Sequence, residues 1–301
     1  MDRLHLMTVF VAVAEEESFA AGARRLGMSP PAVTRAISAL EDRLGVKLLD
    51  RTTRYVRVTD AGSRYLDDCR RIIHETDEAD EAAAGINAEP RGHLAVTAPV
   101  LFGRMFVVPG IVEYLQRYPE MEVSAAFLDR VVNLLEEGFD VGIRIGELPD
   151  SSMRAISVGQ VRRVLCASPS YLKEKGMPLS PPELFNHKIV AASAVSPVVE
   201  WKFTQGITVR VKPRLTVTSN DAAIEAVLGG MGITRLLSYQ IAAYVDSSQL
   251  QAILTDFEPP SLPIHVIHRE GRYASAKVRT FVDLIVARLR SVQALNQHDQ
   301  S

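Results

Sequence analysis

This chain of 301 residues has few cysteines and a small net charge, and each of these properties excludes a class of protein. The two cysteines, Cys69 and Cys166, lie far apart, which excludes a disulfide framework and a cysteine-rich metal site and fits a reducing cytoplasm. The formal net charge is only -2, so the whole molecule is not a basic nucleic-acid binder. Any affinity for nucleic acid must come from local charge.

Long hydrophobic runs are also missing, and we expect no membrane partner. Leu6 to Ala14 is apolar over the length of a signal-peptide core, but Asp2 precedes it and residues 15–17 are all glutamate. Its apolar residues recur at helical spacing, which predicts a core helix. Hydrophobic residues make up 47% of the chain, enough for a sizeable core and for two domains or more.

Catalytic signatures are the third absence. The chain has no GxSxG and no HExxH, and the GGMGI sequence from Gly229 to Ile233 lacks the spacing of a dinucleotide loop. Cys166 lies in an apolar stretch and is interpreted as a packing residue. We therefore expect a protein that is not an enzyme and that holds neither a metal nor a cofactor.

The chain does contain a pair of short helices, from Ser18 to Gly45. Ser18 can cap the first helix and Gly27 can end it, while Ser29 can cap the second ahead of Pro30 and Pro31. Apolar residues recur at three- and four-residue steps along the second helix, and these are Val33, Ile37, Leu40 and Leu44.

The opposite face of the second helix holds Thr34, Arg35 and Ser38, two short hydroxyls and one long cation. Such a face suits base edges and phosphates in a major groove, although an ordinary helical hairpin with a polar outer side has the same pattern. The residues that follow favour the first interpretation. They alternate as a short hairpin does and are rich in cations, which also occur on plain solvated faces: Lys47, Arg51, Arg54 and Arg57.

Residues 1–62 closely resemble the winged helix-turn-helix of LysR-type transcriptional regulators. The matching stretch is FVAVAEEESFAAGARRLGMSPPAVTRAISALEDRLGVKLLDRTTRYVRVTDAG, which contains LE-x-x-LG and R-T-x-R-x-V-x-x-T-x-x-G. The resemblance runs on through the whole chain. We predict that the DNA-binding residues are Ser29, Pro30, Pro31, Thr34, Arg35, Ser38, Arg51, Thr52, Arg54 and Arg57.

A long helix is expected from Thr59 or Asp60. Small and apolar residues alternate steps of three and four along it, as in a coiled-coil seam: Gly62, Tyr65, Cys69, Ile72, Thr76, Ala79, Ala83 and Ile86. The seam either packs on the chain's own C-terminal domain or pairs two chains, and the resemblance favours pairing. We therefore expect a DNA-binding domain at 1–58, a dimerisation helix at 59–89 and an effector domain at 90–301.

Beyond residue 90, strand and helix patterns alternate. Strands are predicted at 93–98, 121–129 and 139–146, with helices at 99–118 and 131–138, an order that implies a parallel sheet with right-handed crossovers. The resemblance implies an α/β, periplasmic-binding-protein-like effector domain. Its two α/β subdomains would comprise about 90–161 with 268–301, and about 162–267.

A ligand site is expected between the subdomains, outside the carboxyl ends of the strands. Helix starts at Val100 and Asn220 offer backbone amides, and Arg144 and Arg235 offer full charges, unless these arginines form ordinary ion pairs. Trp201 either packs or lines the cleft. The predicted effector-binding residues are Pro99, Val100, Leu101, Phe102, Asp129, Arg144, Val195, Asn220, Thr234 and Arg235. We expect a small anionic effector, with a carboxylate on an aromatic or short aliphatic body.

Together these features predict a cytoplasmic, LysR-like regulator that binds double-stranded operator DNA as a dimer or tetramer and responds to a small molecule. If it is an activator, RNA polymerase would be a further partner. Two rivals are a solute-binding protein, which would need export and no DNA module, and an enzyme with an appended helix-turn-helix, which would need catalytic geometry.

Overall fold

The computed structural model describes residues 2–51, 56–84, 89–148, 153–192, 199–269 and 275–295. The α-helices are α1 Arg3–Glu15, α2 Phe19–Arg25, α3 Pro30–Leu44, α4 Asp60–Ala84, α5 Val100–Phe102, α6 Val108–Arg117, α7 Pro169–Lys175, α8 Asn220–Leu228, α9 Ser238–Asp246 and α10 Ala276–Ser291. The strands are β1 Leu49–Arg51, β2 Val56–Val58, β3 Gly92–Ala98, β4 Met121–Phe127, β5 Val141–Ile145, β6 Met153–Val161, β7 Arg163–Ala167, β8 Val190–Ala192, β9 Val199–Lys202, β10 Thr208–Val211, β11 Leu215–Val217, β12 Thr234–Leu237, β13 Gln251–Ile253 and β14 Leu262–Arg269. None of the helices in these segments has both the length and the apolar composition needed to cross a bilayer.

The expected helix pair and hairpin are present in the N-terminal unit. The Ser18 hydroxyl accepts a hydrogen bond from the Ala21 amide at 3.3 Å, and Gly27 turns the chain at φ +61° after α2. Strands β1 and β2 pair antiparallel as the wing. One expectation was wrong, because Ser29 occupies the N-cap of α3 but its hydroxyl makes no capping hydrogen bond.

Helix α4 begins inside the core of this unit. The Thr59 hydroxyl accepts from the Gly62 amide at 2.9 Å and so caps the helix. Cys69 is fully buried in one cluster with apolar residues of α1 and α3, and Tyr65 and Ile72 pack against that cluster. The first half of the expected seam therefore packs on the chain's own N-terminal unit, which extends beyond the expected boundary at residue 58.

The first subdomain of the C-terminal region is built on a five-stranded sheet in the order β4-β3-β5-β14-β6. Strand β3 runs parallel to β4 and β5, as expected, whereas β14 runs antiparallel to both of its neighbours, β5 and β6. The chain re-enters the first subdomain at Leu262, where β14 begins. The expected re-entry at about residue 268 is therefore too late.

The helix expected at 131–138 is wrong, because this segment forms turns. The Asn133 side chain accepts from the Leu135 amide at 3.2 Å, and the Glu137 carboxylate accepts from the Asn133 amide at 3.2 Å. The first of these bonds occupies an amide that a helix over 131–138 would use, and two helical turns are too short to form without strong packing.

The second subdomain is assembled from small sheets. Strands β12, β7 and β13 form an antiparallel sheet, β8 and β11 pair in parallel, and β9 with β10 forms a hairpin. The side of β7 that bears Val164 and Cys166 shares a core with α8 and with the first subdomain. The other side, which bears Leu165, packs against Trp201 and the β9–β10 hairpin.

Candidate DNA-binding face and effector cavity

Helix α3 presents one exposed face, as its sequence pattern predicts. Val33, Ile37 and Leu40 are fully buried. The other predicted residues on this helix and its cap are exposed, apart from the half-buried Ser38: Ser29, Pro30, Pro31, Thr34 and Arg35. Arg35 makes no hydrogen bond or ion pair with any residue in the described part of the chain, so its guanidinium is available to a partner.

The wing stands beside this helix. Arg57 is exposed on β2 and lies opposite Asp50 in the β1–β2 register. Arg51 ends β1, and its side chain lies outside the description. Thr52 and Arg54 lie outside the described residues, so their roles rest on the sequence alone.

A buried acid joins the wing to α3, and the sequence interpretation missed it. Glu41 is 2% exposed, and its Oε1 accepts from the amides of Leu48 at 3.0 Å and Leu49 at 3.2 Å. Its Oε2 accepts from Lys47 Nζ at 2.7 Å. Burial raises the pKa of the Glu41 carboxyl, but the bonds from Lys47 and the two amides outweigh it and leave the pKa below its ordinary value. The sequence did contain a signal for its burial, since Glu41 lies four residues after Ile37 and therefore on the apolar side of α3.

A cavity of about 310 Å³ opens in the second subdomain. It lies where β8 ends and α8 begins, and its other walls come from β9, β12, Arg163 of β7 and Gln240 of α9. Two predicted residues, Asn220 and Arg235, line it. Among the described residues, the lining is Arg163, Val190, Ala191, Ala192, Val199, Trp201, Asn220, Arg235, Leu236, Leu237 and Gln240.

Arg235 is held firmly in this cavity. Its guanidinium carbon lies 5.3 Å from the centre of the Trp201 ring, and Nη1 donates to the Lys202 carbonyl at 3.1 Å. Burial, helped by the nearby charge of Arg163, lowers the pKa of Arg235 to about 10, so the group stays positive at neutral pH. The described lining includes no carboxylate, so Arg163 and Arg235 are the charged groups in it. Trp201 both packs and lines the site.

The expected amide site at Val100 is not free. The Val100 amide donates to Asp129 Oδ1 at 3.0 Å, so the chain supplies its own carboxylate at this helix start. Leu101 and Phe102 are buried in the core of the first subdomain. The cavity lining includes none of these residues, nor Pro99.

Two other predicted residues, Arg144 and Thr234, are absent from the described lining of the cavity. Arg144 is half-buried and donates to the carbonyls of Ile143 and Val132, and burial lowers its pKa. Thr234 is fully buried, and its hydroxyl has no partner among the described residues. Val195 lies outside the described residues. The sequence interpretation missed Arg163 and Gln240, which both line the cavity. The sequence offered a signal only for Arg163, which is a charged residue at the start of an apolar strand.

The described residues give no group of three or more His, Cys, Asp or Glu side chains placed to hold a metal ion. Cys166 is fully buried and burial raises the pKa of its thiol to about 12, which keeps the thiol neutral. It is a packing residue, as expected.

A winged helix-turn-helix, a long helix and a two-subdomain α/β region with an internal cavity define a ligand-responsive DNA-binding regulator. Residues 4–63 match the family model "Bacterial regulatory helix-turn-helix protein, lysR family", and residues 87–290 match "LysR substrate binding domain". The chain belongs to the LysR-type transcriptional regulators.

Individual relatives extend along the whole chain. A transcriptional regulator of Xanthomonas campestris is 35% identical over 93% of this chain and 84% of its own length. A transcriptional repressor of Pseudomonas aeruginosa is 33% identical over 95% of this chain and 92% of its own. The LysR-type regulator CrgA of Neisseria meningitidis has a solved structure that aligns with a TM-score of 0.61 at 29% identity, covering 95% of this chain and 98% of that one. The predicted family and fold class are confirmed.

Proposed function

We propose that this regulator recognises its operator through the exposed face of α3 and that the wing contacts the flanking phosphates. Short hydroxyls and one exposed arginine form the α3 face, while Arg57 is exposed on the wing. Small donors and an arginine suit base edges, and cations beside them suit the backbone. The Glu41 bonds support this assignment, because they hold both elements in one orientation.

The regulator acts in the cytoplasm as a dimer or a dimer of dimers. Two copies would place two α3 helices on successive faces of the major groove, one helical turn or a multiple of it apart. If the regulator activates transcription, RNA polymerase is a further partner. Titration of fluorescent DNA from upstream of its own gene, with sedimentation of the complex, tests both the operator and the number of copies. One copy per site, or equal affinity for unrelated DNA, would contradict this part of the proposal.

The effector in this proposal is a small anion bound in the cavity of the second subdomain. The observation that supports it is the pair Arg163 and Arg235 in a lining without a carboxylate. A desolvated cation without a counterion is unfavourable, so an anion that replaces the lost water would bind with a net gain. The apolar residues Val190, Val199 and Leu237 suit a small organic body.

Trp201 is the only tryptophan of the chain, so its fluorescence reports on the cavity alone. Iodide and acrylamide both quench tryptophan, and only iodide is charged. Trp201 is 3% exposed, so each quencher reaches it only through the cavity, and we expect the iodide-to-acrylamide quenching ratio at constant ionic strength to depend on the charge of the cavity lining. Arg163→Gln should lower the iodide-to-acrylamide ratio about threefold, since one of the two positive charges that line the cavity is removed. An unchanged ratio in Arg163→Gln would refute an anion-selective cavity.

A further inference from the structure

The two subdomains meet beside the effector cavity through an ion pair and a cluster of rings. Arg104 Nη2 lies 3.3 Å from Asp221 Oδ1, and both side chains are largely exposed. Arg104 belongs to the first subdomain, whereas Asp221 is the second residue of α8 in the second subdomain. Asp221 directly follows Asn220, which lines the cavity.

The ring cluster holds the same two surfaces together. Tyr239 of α9 is buried, with its ring centre 5.4 Å from that of Phe102 and 5.7 Å from that of Phe106. Gln240, which lines the cavity, donates to the Tyr239 hydroxyl at 3.3 Å. Each helix start therefore places a cavity residue next to a residue that contacts the first subdomain.

The π-helical turn Gly103–Val107 supplies the first subdomain's side of these contacts, since it carries both Arg104 and Phe106. Its first residue must be small: a Cβ on Gly103 would lie 2.3 Å from the Phe127 ring. The turn is therefore packed closely against β4 and presents Arg104 from a rigid base. Single π-helical turns of this kind are frequent at functional sites.

Asp221 has opposite effects on α8 and on an anion in the cavity. A carboxylate in the first turn stabilises a helix, but the same charge repels an anionic ligand that approaches the adjacent Asn220. Arg104 offsets that charge only while its guanidinium stays in contact with Asp221.

We infer that Arg104, reaching from the first subdomain, determines the anion affinity of the cavity in the second subdomain by neutralising Asp221. This inference rests on the proposed function, and it links anion binding in the second subdomain to a contact with the first. Loss of the Arg104 contact would leave the Asp221 charge unneutralised and weaken anion binding. By thermodynamic linkage, a bound anion favours the Arg104–Asp221 contact by the same factor.

The test uses the full chain, with iodide and acrylamide as probes of Trp201. We expect Arg104→Gln to lower the iodide-to-acrylamide quenching ratio roughly threefold. Asp221→Asn should leave the ratio at or above that of the original chain, and the double variant should recover it. Arg104→Lys keeps the charge and should behave like the original chain.

Two results would overturn the inference: an unchanged ratio in Arg104→Gln, or a double variant as low as Arg104→Gln, which would mean that Arg104 acts without Asp221. The Arg163→Gln variant separates the two proposals. If it lowers the ratio and Arg104→Gln does not, the anion-selective cavity stands and only the role of Arg104 fails. If Arg163→Gln has no effect, the anionic effector fails and this inference fails with it.

Discussion

The carboxylate of Glu41 lies 2.7 Å from the ammonium nitrogen of Lys47, with the acid side chain 1% exposed and the lysine side chain 70% exposed. The lysine thus neutralises a buried charge from the surface, while the amides of Leu48 and Leu49 complete its hydrogen bonds. The wing begins at Leu49, so the Glu41 bonds join its first residue to α3, in addition to the packing of Leu48 and Leu49 in the N-terminal core.

Glu41→Gln should loosen the wing. Removing the charge weakens a buried charged network, at a cost of about 1–3 kcal/mol. The folded-state pKa of Glu41 lies below its ordinary value of 4.5, so its stabilisation is complete above that pH and is lost as the pH falls through the lower folded value. Hydrogen exchange of peptides covering 46–51, normalised to the unfolded chain, should show this acid loss in the original chain and less of it in Glu41→Gln. Lys47→Gln is the matched control and should change protection less, since it leaves both amide bonds intact.

Arg35→Ala should remove most operator specificity. Removing a base or phosphate contact costs about 1–3 kcal/mol per half-site, and nothing in the described fold depends on this exposed side chain. Arg35→Lys keeps the charge but not the planar fork, so it separates a guanine contact from a phosphate contact. Titration at fixed salt measures each affinity, with Arg117→Ala in the effector domain as the charge-matched control. Equal affinities of Arg35→Ala and Arg117→Ala would show that this face does not contact the operator.

Arg57→Ala tests the wing. A phosphate contact is independent of sequence, so affinity for operator and for unrelated DNA should fall alike. The slope of log affinity against log salt should become flatter by about 0.9 for each phosphate that the protein no longer neutralises. An unchanged slope would place Arg57 away from the DNA backbone.

Neither cysteine should react in the native protein. Burial raises the pKa of Cys69 to about 11 and that of Cys166 to about 12, so both thiols remain neutral at pH 8 as well as inaccessible. A disulfide reagent at pH 8 should modify both in urea and neither without it, as mass spectrometry of the intact chain can record. Fast native labelling of Cys69 would mean that α4 leaves the N-terminal core.

The sequence predicted what local patterns determine. The stripe of Val33, Ile37 and Leu40 and the turn at Gly27 follow from helical periodicity and glycine's access to positive φ, and both are present. The 131–138 segment shows the limit of such patterns, because side-chain bonds to nearby amides replaced the helix.

The cavity could be predicted only in part, for a different reason. Its lining joins Arg163, Trp201 and Gln240, which come from separate elements far apart in sequence. No periodicity relates such residues, and only the tertiary packing of the second subdomain brings them together. Asn220 and Arg235 could be predicted from the sequence because Asn220 lies at a recognisable helix start and Arg235 lies in a recognisable strand. The Val100 amide was misjudged because its partner, Asp129, is likewise remote in sequence.

The burial of Cys69 has a mechanical consequence. Because α4 is embedded in the same core as α1 and α3, the angle between this long helix and the DNA-reading helix cannot change without repacking that core. A 25-residue helix is about 37 Å long, so a tilt of about 10° at its base would carry its far end about 6 Å sideways. The helix is thus a lever fixed to the DNA-reading unit. Any partner or effector that displaces its distal end re-aims α3 on the double helix and changes the spacing of half-sites that an assembled regulator can span.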